Sequence, residues 1–340
     1  MNRVVTMGEM MIRFMPPGNL RFEQASSFDV FYGGDESIVA ASLARFGMEV
    51  SYLTRLPDNP LGRTALASIR AQGVDTRFVA FGGKRLGLNF YENGAAMRPS
   101  RVIYDRADSS MATAGPADFD FDEIFKGAAW FHVSGITPAL SDSARQLTEV
   151  ALAKAKEHGL TVSVDLNYRR KLWTPERARE VMTGLMKNVD VCIGNEEDAE
   201  ITLGFKPPDT DVSHGKLSVE GYKSMFRRMK EKFSFRFVAS TLRESRSASD
   251  NGWSALLYDG KDFCASRAYD IHLVDRGGGG ASFSAGLIYG ILNKMAPQEA
   301  VEFAAAASAL KQTVLGDFNI TSLTEVRELL NQGTSGRVQR

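Results

Sequence analysis

Short apolar runs alternate with helix-period stretches along nearly the whole chain, and few patterns restrict a fold so tightly. The run "RVVTM" at 3–7 reads as a buried strand and "DESIVAASLARFG" at 35–47 as a helix. Val39, Leu43 and Phe46 share one face of that helix, and Gly47 is its stop. "EVSYLTRL" with "LGRTALASIRAQG" repeats the pair, as do "AAWFHVS" with "ARQLTEVALAKAKEHG" and "TVSVDL" with "RAREVMTGLMKN". "VDVCIG" leads into "EEDAEITLG", and "FRFVAS" follows the helical "VEGYKSMFRRMKEK". Parallel strands need crossovers of this kind, so the pattern predicts an α/β fold with helices covering both faces of a parallel sheet. Binding sites in that architecture lie beyond the carboxyl ends of the strands.

Two segments, about 11–34 and 86–110, break the rhythm with alternating polar and apolar residues and few helical signals. They predict a small antiparallel β-sheet inserted between units of the main domain. Such a sheet beside a strand-end cleft reads either as a lid or as an edge hairpin with no gating role. The remainder reads as one domain over 1–330, with 331–340, "NQGTSGRVQR", as a flexible tail. The start "MNRVVTMGEM" is too quickly charged for a signal peptide, and no run approaches the ~18 apolar residues of a membrane span. With 41 basic and 41 acidic residues in balance, no nucleic acid or membrane partner is expected. Cys192 and Cys264 make no metal-binding or redox spacing and read as free thiols of a cytoplasmic protein.

The strongest chemical signal is "DRGGGGASF" at 275–283. Consecutive glycines let backbone N–H groups approach an anion, and the helix that follows adds its positive end. A plain structural turn is the other reading. No Gly-Lys-Ser/Thr follows, and the third glycine of G-x-G-x-x-G is missing from either start, so nucleotide motifs of those kinds are excluded. "NEED" at 195–198 follows a strand, where carboxylates can hold Mg²⁺ through water or simply favour a first helical turn. "RVIYDR" offers Arg101, Tyr104 and Arg106, and "DLNYRRKLW" offers Asn167, Arg169 and Arg170. Guanidinium groups fork onto carboxylates, so these residues suit a sugar acid, or are ordinary surface charge. His132, His158, His214 and His272 show no ligand spacing.

In this order the pieces resemble the ribokinase-like (PfkB-type) carbohydrate kinases, and within them the 2-keto-3-deoxygluconate kinases. The resemblance runs from end to end. It takes in "GEMMIRF", "YGG", "LPDNPLGRTALASIRAQGVDT", "HVSGITPALS", "DLNYRRKLW", "NEEDAE", "SASDNGWSALLYDG", "VDRGGGGASFSAGLIYG" and "AAASALKQTVLGDFN". It implies a ribokinase-like α/β sandwich whose β-sheet lid also serves in dimerisation, hence a homodimer or higher homo-oligomer. It implies ATP and Mg²⁺, with the γ-phosphoryl group passing to the terminal hydroxyl of a sugar acid. Matched by position, Gly34, Tyr104, Arg106 and Arg169 line the sugar-acid site, and Gly278, Gly279 and Gly280 form the anion hole. Asn195 lies on the nucleotide side, and Asp198 acts on Mg²⁺ indirectly in a motif that usually ends in glutamate. Thr241 starts the nucleotide-side loop, with Arg243 where many relatives have glycine, and the "AAASALK" region borders the adenine.

Three positions depart from the pattern. The aspartate that takes the hydroxyl proton is Ala281 here, the sugar-facing asparagine of the first helix is Ile38, and a lid tyrosine is Asn89. General-base assistance is worth ~10²–10⁴ in rate, so an impaired kinase is expected. The alternative is a kinase-derived protein that binds sugar acid or nucleotide without turnover. Asp35 and Glu36 lie at the start of the same helix, where only geometry can tell whether they replace the base.

Overall fold

The structure is a computed structural model that describes residues 3–208 and 218–333. Among them a nine-stranded sheet runs in the order Phe263–Ala265, Asp250–Tyr258, Phe237–Ser245, Val191–Ile193, Thr161–Asp165, Ala128–Ser134, Arg3–Met7 and Val50–Leu53. The ninth strand, Tyr269–His272, also pairs with Asp250–Tyr258. Pairing is parallel from Phe237–Ser245 to Val50–Leu53 and antiparallel beyond Phe237–Ser245. The inner strands are Val-rich and closed on both sides: Val4, Val5 and Val162 are fully buried. The expected α/β sandwich is therefore present, with an antiparallel edge.

Local chemistry accounts for where the covering helices start and stop. Pro60–Arg70 begins on Asn59, whose side chain accepts the Gly62 N–H at 3.0 Å. Asp142–Glu157 begins on Ser141, which accepts the Ala144 N–H at 3.0 Å. The first long helix, Asp35–Arg45, gives way to Gly47 at φ 85°, and Glu196–Leu203 to Gly204 at φ 79°. Two helices near the C-terminus, Gly279–Leu292 and Pro297–Lys311, pack closely through small residues. A Cβ on Gly286 would lie 2.6 Å from Ala304 Cα, and one on Gly290 2.8 Å from Ala300 Cβ.

The segments around 11–34 and 86–110 form a separate four-stranded sheet, ordered Asp29–Gly33, Met11–Met15, Gly87–Glu92, Arg101–Asp105. Each segment folds as an antiparallel hairpin, and the two hairpins join through a parallel pairing of Met11–Met15 with Gly87–Glu92. Alternation in sequence marks each strand but carries no information on which hairpins meet. Arg13 of this sheet is 3% exposed and reaches the main domain, its Nη1 lying 3.1 Å from Asp275 Oδ1. Of the tail at 331–340, the first residues end the helix Leu323–Gln332, and 334–340 lie outside the described residues. No helix among the described residues is long and apolar enough to cross a membrane. Cys192 and Cys264 are free thiols, as expected.

Candidate functional site

A cavity of about 1100 Å³ opens at the carboxyl ends of the parallel strands. Asp165 ends one strand and Gly194 and Asn195 follow another; Asn89, Tyr104 and Arg106 close it from the four-stranded sheet. Gly34, Asp35 and Ile38 come from the start of one helix, and Gly278, Gly279, Gly280 and Ala281 from the start of another. Arg169, Asp198 and Thr241 also line it, so these candidates meet in one space. Arg101 and Arg170 do not line it. The histidines are elsewhere too: His132 is buried against Ser163, His158 and His272 face Asp122 and Asp250, and His214 lies outside the described residues.

The glycine loop is shaped by contact on one side and left open on the other. Gly278 has φ 79°, and a Cβ there would lie 2.7 Å from Asp317 O and 3.3 Å from Ile38 Cγ2. A Cβ on Gly280 would meet nothing within 4 Å. The helix Gly279–Leu292 has no side-chain cap, unlike those begun by Asn59 and Ser141. Its first N–H groups and its positive end thus face the cavity, an arrangement suited to an anion. Behind the loop, Asp275 Oδ1 accepts the Gly277 N–H at 2.8 Å and Oδ2 the Gly316 N–H at 3.0 Å. Arg13 bridges Asp275 and Asp317, and burial lowers the Lys311 ammonium beside them to about 8. Sequence patterns gave no sign of this network, although "GEMMIRF" already carried Arg13.

The sugar-acid candidates are held unequally. Arg106 donates through Nε to Glu9 Oε2 at 2.8 Å and through Nη2 to the same oxygen, while Ser109 donates to Glu9 Oε1. Much of its hydrogen-bonding capacity is therefore committed to a buried partner that lies within "GEMMIRF", although nothing in that motif signalled the pairing. Arg169 is exposed, and among the described residues its hydrogen bond runs from Nη1 to its neighbour's carbonyl, Tyr168 O, at 3.1 Å. Gly34 is demanded by space, since a Cβ would lie 1.9 Å from Glu9 O. Asn167 sits at φ 39°, uncommon for a residue with a side chain and frequent at functional sites.

Four carboxyl groups gather between these parts. Burial raises Asp35 and Asp165 above the usual carboxylate range, with Arg169 pulling both back. Burial, then the Asp35 charge, lifts Glu36 to about 7, although its Oε1 accepts from Ser134 N–H, Ser134 Oγ and Thr137 Oγ1 at 2.8–2.9 Å. Burial lifts Asp198 to about 6 against the Arg169 charge and the Tyr168 N–H, which its Oδ1 accepts at 2.9 Å. Two enclosed acceptors in the cavity wall, Asp35 Oδ2 and Asn89 Oδ1, have no hydrogen-bond donor among the described residues. Buried polar atoms are nearly always paired, so both are ready to receive donors from a ligand.

On the nucleotide side one expectation needs correction. Thr241 does not start a loop: its strand runs on to Ser245, paired with Asn251 across the hairpin. Residues 305–311 are part of the packed helix Pro297–Lys311 and do not line the cavity, whereas Gln312 does. The Asn195 side chain caps Glu196–Leu203, accepting the Asp198 N–H at 2.8 Å. No group of three or more His, Cys, Asp or Glu residues among those described could hold a metal ion.

The profile of the pfkB family carbohydrate kinases matches residues 1–322. The chain is 35% identical over 333 residues to a 2-dehydro-3-deoxygalactonokinase from Haloferax volcanii, covering 98% of each. It is 28% identical over 318 residues to a 2-dehydro-3-deoxygluconokinase from Bacillus subtilis, covering 93% of this chain and 91% of that one. Its fold matches the crystal structure of a 2-dehydro-3-deoxygluconokinase from Thermotoga maritima with a TM-score of 0.94 and 46% identity. That match covers 97% of this chain and 100% of the other.

Proposed function

Because this chain belongs to the pfkB family of carbohydrate kinases, we propose that it phosphorylates a 2-keto-3-deoxy sugar acid, with ATP as the donor. The observation that carries this reading is one cavity joining an uncapped helix start to Arg169 and two unpartnered acceptors. Phosphates suit the first end, and a carboxylate with several hydroxyls suits the second. Asn89 Oδ1 accepts a sugar hydroxyl, Arg169 forks onto the carboxylate, and Tyr104 flanks the sugar. Gly278, Gly279 and Gly280 donate to the transferring phosphoryl group. Arg106, already committed to Glu9, shapes this end and has less left to offer the substrate.

Charge build-up on the transferring group is the main thing a phosphoryl-transfer site must stabilise, and positioned N–H donors do this without reorganising. Mg²⁺ keeps several waters and rides on substrate phosphates rather than in an all-protein cage. The donor set fits that habit: Asp198 is the carboxylate that would hold it through water, with Asn195 fixing the turn. When bound it would neutralise phosphate charge. We read 1–330 as one kinase domain, assembled into a homodimer or higher oligomer through the lid.

Ala281 favours a second reading, in which sugar acid and nucleotide bind without turnover. A coupled ADP-release assay across 2-keto-3-deoxy acids, other sugar acids and neutral hexoses separates the two. Release that depends on a 2-keto-3-deoxy acid supports the kinase. Tight binding of both ligands with no release supports the second.

A further inference from the structure

Position 281 offers no proton acceptor, but the first turn of Asp35–Arg45 places a carboxylate between the two halves of the cavity. On one side its helix lies against the glycine loop. A Cβ on Gly33 would come within 2.5 Å of Asp317 Cβ, and Asp317 shares Arg13 with Asp275 at the start of the loop. Ile38, three residues on and hence on the same helix face, stands 3.3 Å from the Cβ position of Gly278. On the other side Asp35 faces the Asn167 side chain and the Arg169 charge. The hydroxyl that receives the phosphoryl group must lie between the residue that grips the acid and the glycines that grip the phosphate. Asp35 lines the same cavity as Arg169 and those glycines, and its enclosed Oδ2 has no partner among the described residues.

We propose that Asp35 is the catalytic base of this chain, a role that the side chain of Ala281 cannot fill. Oδ2 accepts the proton of the substrate's terminal hydroxyl while that oxygen bonds to the γ-phosphorus of ATP. The bond from this phosphorus to the bridging oxygen breaks, ADP leaves with the electron pair, and the proton later passes from Asp35 to water. The inference rests on the kinase reading. Asp35 is faced by Arg169 and Asn167 from the loop after Thr161–Asp165, by Asp165 of that strand, and by Glu36 of its own helix. Burial holds it above the ordinary carboxylate range, where a base accepts a proton more readily.

The test uses the full chain and its Asp35→Asn and Asp35→Ala variants, with ATP, Mg²⁺ and 2-keto-3-deoxygluconate. Single-turnover kinetics reads the chemical step, and calorimetry reads the binding of each ligand. Asp35→Asn is expected to slow the chemical step at least ~10²-fold, to leave both affinities within about threefold, and to remove the acid limb of the pH–rate profile. A chemical step unchanged in Asp35→Asn overturns the proposal while leaving the kinase intact. A loss of affinity as large as the loss of rate makes Asp35 a binding group and also overturns it. If the unsubstituted chain binds both ligands and transfers nothing, the base and the kinase reading fall together.

Discussion

At the scale of single residues, Arg106 and Arg169, two of the arginines that line the cavity, are chemically alike and structurally different. Arg106 and Glu9 form a buried pair with side chains 7% and 2% exposed, so Arg106→Ala leaves a buried carboxylate without its partner. That should destabilise the protein by about 3–5 kcal/mol, whatever it does to substrate. Arg169 has no carboxylate bonded to it among the described residues and acts on Asp35, Asp165 and Asp198 only through its charge, so Arg169→Ala should weaken sugar-acid binding by about 1.5–3 kcal/mol and lower the melting temperature less than Arg106→Ala does. Thermal melts and calorimetry on the two variants check the split, with neutral hexoses as the control that should lose little. Position 281 belongs to this scale too. If Asp35 carries the proton, Ala281→Asp should recover at least ~10-fold of the chemical step lost in Asp35→Asn, because it restores an acceptor at the other helix start.

At the scale of elements, the helix bearing the glycine loop is fixed from behind by close packing. The contacts of Gly286 with Ala304 and of Gly290 with Ala300 leave no room for a side chain. Gly286→Val should therefore cost about 1–3 kcal/mol through overpacking. It should also slow turnover, since moving this helix moves the N–H groups at its start. Denaturant melts with turnover measured on the folded fraction test both effects. Asn195 shows the opposite division of labour. The side chain expected to act on the nucleotide caps Glu196–Leu203 and so fixes the turn on which Asp198 stands.

At the scale of the whole molecule, the buried acids and one buried histidine set an unusual pH dependence. Glu36, raised from 4.5 to about 7, binds a proton more tightly folded than unfolded, so its contribution is present at low pH and lost as pH rises through about 7. Asp198, raised to about 6, acts in the same sense at lower pH. His132 works against them: burial lowers it from 6.5 to about 3, so its contribution is lost as pH falls below 6.5. Stability should therefore show a first climb as pH drops through about 7, which the other raised acids, Asp198, Asp35, Asp165 and Asp317, reinforce and His132 opposes below 6.5. A tenfold difference in proton affinity between folded and unfolded chains is worth about 1.4 kcal/mol, enough for a melt to read. Glu36→Gln should flatten the first climb, and melting temperatures taken from pH 5 to 8 check it.

The sequence by itself determined most of the elements and pointed to many of the residues that line the cavity, Arg101, Arg170 and 305–311 aside. Alternating strand and helix patterns are local, and so are the caps at Asn59, Ser141 and Asn195 and the stop at Gly47. Arg169, Asn195 and Asp198 reach one cavity because parallel strands deliver the loops after them to the same edge, and the second sheet brings Asn89, Tyr104 and Arg106 to it. Tertiary structure decided which charges are spent and which are free. Glu9 lies 97 residues from the Arg106 it holds, and Arg13 lies 262 from Asp275. No spacing rule reaches across such gaps, because these partners meet only once the second sheet folds over the first. The same holds for Asp35. In sequence it is an acid in a first helical turn for which a replacement of the base stays open, and only its place in the cavity with the glycine loop and Arg169, with one oxygen enclosed and unpaired, gives it a part in the chemistry.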